Sequence, residues 1–387
     1  MKALSGEALV NDNTQQPAPA RNYSFSALRV AACLGIVLLH TANVSEILNR
    51  ESLTAGQSAF SLGIVYLMMW AVPAFLMVSG ALLLNPVRQI TLKKIFAQYI
   101  RRVGCALLAC CILFRLFDLL MNGEPFTPMV VLDALYRMFT GQSWAHLWYL
   151  YLLLGLYLLL PFYCMIADAC GEQMMRYLLL IYFIFLSILP VADAFGVSSA
   201  FEIQTAAIYP FYFFAGHALY SGKLKIDRKL AWALFFGGTL MIVLMMIARS
   251  RGSEELVKAY TQLLGSYASP AVVFQSVGLF ALVIGQRKDV SSAQPAAPED
   301  EKTGEAPDNT GRKLPSVLTE AVELLDGAGF GIYLVHMVFL RLFLRYEGWN
   351  LFLTGEWSFF AFALGVFFLS AVLVTPLKKI PYVRAIL

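Results

Sequence analysis

Ten apolar segments, each long enough to cross a membrane, constrain the fold of this 387-residue chain more than any other feature. A helix needs about 20 predominantly apolar residues to span about 30 Å of hydrocarbon. Because lipid cannot satisfy the backbone groups of an open strand, these segments must be helices. The sequence therefore predicts an all-α integral membrane protein, a polytopic bundle of about ten transmembrane helices. The segments lie near residues 25–46, 60–84, 103–121, 146–166, 176–192, 205–221, 231–248, 268–285, 327–346 and 356–376.

Composition excludes the soluble classes. Hydrophobic residues make up 59% of the chain and charged residues 14%, whereas soluble domains carry about 25% charged residues. This composition rules out a disordered chain, a coiled coil, a disulfide scaffold and an ordinary cytosolic enzyme. The net charge of +4 is small and reflects membrane topology, so we expect no nucleic-acid partner.

Basic residues predict the orientation of the bundle. With the N-terminus in the cytoplasm, and with the span-edge residues Arg176, Arg341 and Arg345 counted with the nearer side, 20 of the 29 Lys and Arg fall on the cytoplasmic side and 7 fall outside. The remaining two, Arg29 and Arg115, lie within spans. Cytoplasmic loops of membrane proteins carry an excess of Lys and Arg. We therefore expect both termini in the cytoplasm. The N-terminal residues show no signal-peptide pattern, so the first span is expected to be retained.

Polar segments divide the chain into four parts. Residues 1–22 predict a disordered cytoplasmic tail, and 23–285 hold spans one to eight. Residues 286–315, rich in Pro, Ala and charged residues, predict a disordered cytoplasmic linker. Spans nine and ten and a cytoplasmic tail follow in 316–387. Because the external loops are short, any chemistry belongs to the bundle itself.

Two ionisable residues in the first span, Arg29 and His40, are the main functional candidates, because such groups are costly inside a membrane. They are 11 residues apart, which places them on one helical stripe with about 16 Å of rise between them. Each has an ordinary alternative: Arg29 as a snorkelling residue at a helix end, and His40 as a core histidine bonded across helices. Together they indicate a polar path through the bundle.

The pair suits a phosphate-bearing donor. A guanidinium donates bidentate hydrogen bonds to phosphate and keeps its charge, while an imidazole can take a proton from a hydroxyl. A donor held by its phosphates at the inner face would place its reactive end near His40. Arg101 and Arg102, at the end of the basic segment 85–102, are candidates for the same anchor, with a purely topogenic role as the alternative.

Three further histidines belong to the set. His146 begins span four beside Trp148, His336 lies within span nine, and His217 lies at the inner end of span six. None has the spacing of a metal motif, so no metal is expected. Three carboxylates near outer span ends are candidates for orienting a histidine: Asp118, Asp193 and Glu46.

Four segments resemble the membrane acyltransferase-3 family, whose members are bacterial integral-membrane O-acyltransferases acting on surface glycans. They are ALRVAACLGIVLLH (27–40), VPAFLMVSGALLL (72–84), SWAHLWYLYLLLGLYLLLPF (143–162) and GFGIYLVH (329–336). Their order and spacing are similar to the family pattern along nearly the whole chain, including the polar insert before span nine.

The resemblance implies transfer of an acetyl group from cytoplasmic acetyl-CoA to a hydroxyl of a cell-surface glycan or its lipid-linked precursor. It also implies a multi-pass protein of the bacterial cytoplasmic (inner) membrane, in contact with membrane lipids. Arg29 and His40 match the family's catalytic Arg and His, and Arg102 matches the basic residue after the second span. The candidates for contact with the acceptor are His146, Trp148 and His336.

The chain departs from the family pattern at three positions. Family members often carry Asp three residues before the Arg and Gly after it, where this chain has Ser26 and Val30. A second basic residue often found three positions before Arg102 is Tyr99 here. The missing carboxylate leaves the partner of Arg29 open.

Two mechanisms and two other functions stay open at this point. His40 is either a general base for direct attack on the thioester or a nucleophile that is acylated first. Direct attack is preferred, because one rigid site requires fewer assumptions. A transporter or flippase for a lipid-linked sugar is the main alternative function, although it does not require Arg29 and His40 together with HLWYL and GIYLVH. The second alternative function is a membrane module that senses a ligand.

Overall fold

The computed structural model describes residues 22–49, 51–88, 90–126, 128–194, 207–251, 265–284, 316–344 and 356–384. Within these ranges the chain forms helices and no strands. The predicted N-terminal tail, apart from Asn22, and all of the predicted linker 286–315 lie outside the described residues. The helices are α1 Tyr23–Asn49, α2 Ala55–Leu67, α3 Ala71–Leu83, α4 Leu92–Asn122, α5 Val130–Phe139, α6 Trp148–Ala169, α7 Glu172–Val191, α8 Tyr209–Ser221, α9 Arg228–Arg251, α10 Pro270–Ile284, α11 Ser316–Leu344, α12 Glu356–Leu377 and α13 Pro381–Arg384.

The described helices confirm the prediction of an all-α polytopic membrane protein. Eight helical segments are long and apolar enough to cross a membrane. The other two predicted spans correspond to α8 and α10, with 13 and 15 residues. The ten-crossing count and the cytoplasmic position of both termini stay predictions.

The short helices α8 and α10 still run between the two ends of the bundle. At one end, the Tyr212 hydroxyl near the start of α8 donates to the carbonyl of Tyr267, just before α10, at 2.6 Å. At the other end, the ring of Phe25 in α1 lies 5.2 Å from Tyr220 and 5.9 Å from Phe280. Both helices therefore run opposite to α1, as the predicted order of spans requires.

The second predicted span is broken into α2 and α3. Pro73 lies in the first turn of α3, where its missing N–H is tolerated, whereas a continuous helix would lose a hydrogen bond there. The chain turns at residues 68–70 instead. This break brings Ala71 against Gly35 of α1, where an added Cβ on the glycine would lie 3.3 Å from the Ala71 Cβ. The start of α3 thereby reaches the centre of the bundle.

Glycines allow α3 and α8 to approach very closely. A Cβ added at Gly80 would overlap the carbonyl of Phe213, and one added at Gly216 would overlap the backbone of Met77. Small residues at such a crossing let two membrane helices pack backbone to backbone. Met77 and Phe213 are themselves buried in the largest apolar core of the bundle.

Helix α4 contains a π-helical turn over Ile95–Ile100. A π-turn adds one residue to a helical turn and rotates the residues that follow, and such turns are frequent at functional sites. Arg101 and Arg102 come directly after it. Both arginines are exposed, but Arg102 lines a cavity within the bundle and Arg101 does not.

Helices α1 and α11 run parallel along their shared face. Three polar contacts join them at nearly constant sequence offset, and these are Arg29 with Asp326, Cys33 with Gly329, and His40 with His336. Because the order of contacts is the same along both helices, the two point in the same direction. Parallel packing agrees with their predicted places as spans one and nine.

Candidate active site

A cavity of about 420 Å³ lies in the bundle and joins two groups of polar residues. Helices α1, α6 and α11 each contribute residues to both groups. The two residues from α1, Arg29 and His40, are 11 positions apart. The first group is Arg29, Arg102, Tyr157, Asp326 and Lys378. The second is His40, His146, Trp148, Tyr149, Tyr267 and Tyr333. We call the first group the basic end of the cavity and the second the histidine end.

Asp326 is the partner of Arg29 that the sequence left open. The guanidinium donates from Nε to Oδ1 and from Nη2 to Oδ2, each at 2.7 Å, in a bidentate pair. The Asp326 side chain is 7% exposed and that of Arg29 is 29% exposed. A carboxylate from α11 thus takes the role that Ser26, which accepts from Nη2 at 3.4 Å, cannot fill.

A spacing in the sequence signals Asp326. It lies ten residues before His336, close to the 11 residues that separate Arg29 from His40. Two parallel helices with such matched spacings place an Arg–Asp pair at one level along their axes and a His–His pair at another. Three of these four residues were predicted from the sequence, and the carboxylate was not.

His40 and His336 form a hydrogen-bonded pair that assigns their tautomers. His40 Nδ1 lies 2.8 Å from His336 Nε2, and His336 Nδ1 lies 3.1 Å from the carbonyl oxygen of Ile332. Because a carbonyl only accepts, Nδ1 of His336 carries the proton, and Nε2 of neutral His336 accepts from His40 Nδ1–H. The lone pair of His40 is then on Nε2. His40 lines the cavity, whereas His336 is fully buried behind it.

His146 is brought to the same end of the cavity. It lies in the 3₁₀ turn Ala145–Leu147 that leads into α6. Its ring centroid is 6.3 Å from that of His40 and 5.6 Å from that of His336. The side chain is buried, and neither ring nitrogen makes a hydrogen bond of good geometry among the described residues, although the backbone carbonyl of Leu334 lies near the ring.

A network around Trp144 holds the segment that carries His146. Trp144 Nε1 donates to one oxygen of Asp118 at 2.9 Å, and Arg341 donates to the other at 2.9 Å. The Arg341 guanidinium lies 3.9 Å from the centroid of the Trp144 ring, a cation–π contact. The Tyr333 hydroxyl donates to the carbonyl of His146. The turn is thereby fixed by α4 and α11 together.

The carboxylates expected near the outer ends do not bond to a histidine within the described residues. Asp118 bonds to Trp144 and Arg341, and Glu46 accepts a hydrogen bond from Ser58 at 2.7 Å. The side chain of Asp193 lies outside the described residues. The hydrogen-bond partner of His40 is a second imidazole.

The basic end of the cavity contains a lysine that the sequence analysis did not single out. Lys378 donates to the carbonyl of Gly327 and lines the cavity beside Arg102. Burial lowers its pKa, and Arg102 and Arg384 lower it further while Asp326 opposes them. No signal distinguishes it in the sequence, because it is one of three basic residues of the C-terminal segment. The Arg102 guanidinium lies 5.2 Å from the ring centroid of Phe330.

The other predicted residues fall into two sets. Trp148 lines the histidine end of the cavity, with its ring 5.6 Å from that of Tyr267. His217 is buried but is not among the residues that line the cavity. In the part of the chain that the structure describes, no group of three or more His, Cys, Asp or Glu is placed to hold a metal ion. The expectation of no metal cofactor stays a prediction.

Comparison with known proteins identifies one match. A family model described as an acyltransferase domain, that of the acyltransferase-3 family, matches residues 22–376. No curated protein and no solved structure matches the chain. The matched range includes every residue of the two ends of the cavity except Lys378.

Proposed function

This chain belongs to the acyltransferase-3 family and is a membrane acyltransferase. On that premise we propose that it moves an acetyl group from cytoplasmic acetyl-CoA to a hydroxyl of a cell-surface glycan or its lipid-linked precursor. Its place in the cell is the bacterial cytoplasmic (inner) membrane. The catalytic residues are His40 and Arg29, and the donor's phosphates bind at the basic end of the cavity.

The observation that carries this proposal is one cavity with a basic end and a histidine end. Arg29, Arg102 and Lys378 bring three cationic side chains around the single carboxylate of Asp326. A phosphate-bearing donor is attracted to such an end. Along α1 the distance from Arg29 to His40 is about 16 Å, which a long thioester arm can bridge. The acyl carbon would then lie beside Nε2 of His40.

The histidine end suits a sugar as acceptor. Trp148 and Tyr267 present aromatic surfaces to the cavity, and such surfaces with a few polar groups are typical of ligand pockets. His146 adds ring nitrogens that make no hydrogen bond of good geometry among the described residues. A hydroxyl that reaches this end from the outer face would meet the acyl group at His40.

Transfer of label tests the proposal. Purified protein in proteoliposomes made with the total lipid extract of the producing strain is incubated with acetyl-labelled acetyl-CoA, and alkali-labile label is measured in the glycolipid fraction. We expect incorporation by the wild type and a loss of about 10³-fold in His40→Ala, within the range that acid–base groups contribute.

His217→Ala is the matched control, because His217 is also a buried histidine but does not line the cavity. It should retain wild-type incorporation. A wild-type protein that never transfers label, but moves the glycolipid between leaflets, contradicts the proposal and supports the flippase.

A further inference from the structure

His146 differs from His40 and His336 in having no side-chain hydrogen bond. His40 and His336 bond to each other, and His336 also bonds to a carbonyl. Neither nitrogen of His146 makes a hydrogen bond of good geometry to a described residue, although the side chain is only 2% exposed and the backbone carbonyl of Leu334 lies near the ring. A buried polar group in this condition calls for an explanation, and a ligand or catalytic role is one.

The surroundings of His146 fix its ring without using its nitrogens. The rings of Phe114, Trp144 and Tyr333 lie 5.5, 6.0 and 5.7 Å from it, centroid to centroid. The backbone carbonyl of His146 accepts from Tyr333. The imidazole is thus held by packing while it lines the cavity. This packing leaves the His146 imidazole available to form a hydrogen bond with a group that enters the cavity.

His40 alone cannot perform both halves of a two-step transfer. Its one free nitrogen is Nε2, because Nδ1 is bonded to His336. If Nε2 accepts the acetyl group, it has no lone pair left to take a proton from the acceptor. A second base within reach of the same acyl group is then required, and the His146 ring is 6.3 Å away.

We propose, in place of the direct attack preferred from the sequence, that His146 is the base that takes the proton of the acceptor hydroxyl, and that His40 carries the acetyl group between the donor and the acceptor. This inference rests on the proposed function and assigns the division of labour within its site. His336 is a positioning residue that also holds a proton between the two steps.

In the first step, Nε2 of His40 attacks the thioester carbonyl carbon. The carbon–nitrogen bond forms, the carbon–sulfur bond breaks, and the sulfur leaves as the CoA thiolate. The proton on His40 Nδ1 moves to Nε2 of His336. The products are a neutral acetyl-imidazole on His40 and a protonated His336, so the charges of the thiolate and His336 balance.

In the second step, His146 takes the proton of the acceptor hydroxyl and the oxygen attacks the acetyl carbon. The carbon–oxygen bond forms and the bond to His40 Nε2 breaks, which returns the electron pair to that nitrogen. His336 gives its proton back to Nδ1 of His40. The proton on His146 is released and matches the one that converts the CoA thiolate to the thiol.

Isotope exchange separates the two half-reactions. Purified protein is mixed with acetyl-CoA and labelled CoA without acceptor, and label entering acetyl-CoA is measured. Acetate released by mild alkali from the surface glycan of complemented cells reports the whole reaction. We expect wild-type protein to show both, and His40→Ala to lose both.

His146→Ala should keep exchange within about threefold of wild type, while glycan acetylation falls at least about 100-fold, as loss of a general base predicts. His146→Gln retains a hydrogen-bond donor but no base, and should lose acetylation equally. Retained exchange also shows that these variants are folded. His217→Ala should leave both measurements unchanged.

Four results would overturn the inference. Wild-type protein that acetylates glycan but shows no exchange transfers the group directly. His146→Ala that loses exchange together with acetylation, or keeps both, removes His146 from the acceptor step. If the wild type neither exchanges nor acetylates, the proposed donor itself is wrong, and the inference is lost with it.

Discussion

The Arg29–Asp326 ion pair joins two residues 297 positions apart, with the carboxylate buried and the guanidinium partly exposed. Removing one member of a buried pair leaves an uncompensated charge, which is more destabilising than the pair is stabilising. Since Arg29 is partly exposed, the effect should lie between those of exposed and buried pairs. The pair thus holds α11 to α1 as well as shaping the basic end of the cavity.

We expect Asp326→Asn to destabilise the protein by about 2 kcal/mol, between the values for exposed and buried pairs. Thermal unfolding of the purified protein measures the change. Glu320→Gln, on the exposed side of the same helix, is the control and should change stability by less than about 0.5 kcal/mol, as surface substitutions do. Equal effects of the two variants would show that the pair does not hold the helices.

The residues at the basic end of the cavity indicate which cationic side chains bind the donor. Arg102→Ala and Lys378→Ala should each raise the KM for acetyl-CoA about tenfold, because a hydrogen bond to a charged group contributes about 1.5 kcal/mol or more. Initial rates of acetyl transfer measure this. The neighbours Arg101 and Lys379 are exposed and do not line the cavity.

Arg101→Ala and Lys379→Ala are therefore matched controls, expected to change the KM less than twofold. If Arg101→Ala raises the KM as much as Arg102→Ala, the anchor is a diffuse basic surface, not the cavity.

At the scale of residues, the sequence predicts those functional candidates that are ionisable and lie within an apolar segment. Arg29 and His40 stand in an apolar run, and both line the cavity. Asp326 and Lys378 escaped because each lies at the polar edge of a span, among other charged residues. Their importance comes from tertiary contacts that bring four distant segments together, and hydropathy carries no information about those contacts.

Two helices show where the sequence predicts an element but not its internal geometry. The second span was expected as one segment, 60–84, whereas the structure has α2 and α3 with a break before Pro73. A proline in an apolar run signals a break, so this feature was readable. The π-turn at Ile95–Ile100 was not, because no residue in it has a distinctive backbone preference.

The crossing of α3 and α8 should tolerate no side chain at its centre. We expect Gly80→Ala and Gly216→Ala to destabilise the protein by about 1–3 kcal/mol, as overpacking does, because the added Cβ atoms would overlap backbone atoms. The melting temperature of each variant measures this. Gly155→Ala is the control, since Gly155 in α6 has nothing within 4 Å of an added Cβ.

Gly155→Ala should be neutral or slightly stabilising, because alanine favours helix more than glycine does. Melting temperatures of Gly80→Ala and Gly216→Ala that match that of Gly155→Ala would mean that the two helices separate without cost.

At the scale of the whole molecule, composition and apolar length were sufficient for the fold class. Each of the ten predicted segments contains a helix, and eight helices meet the length and hydropathy of a span. Windows of apolar residues measure how long a segment is, and they do not show which helices touch. The cavity, the parallel packing of α1 and α11, and the pairing of His40 with His336 therefore had to come from the structure.

The predicted orientation can be measured with single cysteines in a variant whose native cysteines are replaced. Gln142→Cys lies beside the histidine end and Lys379→Cys beside the basic end, and both positions are exposed. With both termini in the cytoplasm, a membrane-impermeant maleimide should label Gln142→Cys in intact cells and Lys379→Cys only after permeabilisation. The reverse pattern would invert the topology and place the basic end outside.

The parallel packing of α1 and α11 also fixes when the site can exist during synthesis. Arg29 and His40 leave the ribosome first, but Asp326 and His336 follow about 296 residues later. Until α11 is inserted, the first helix holds a cation and an imidazole in the membrane without the partners they have in the finished protein. On the proposed mechanism, the nascent enzyme is inactive through most of its own insertion, and we expect its chemistry to begin only when the ninth predicted span docks.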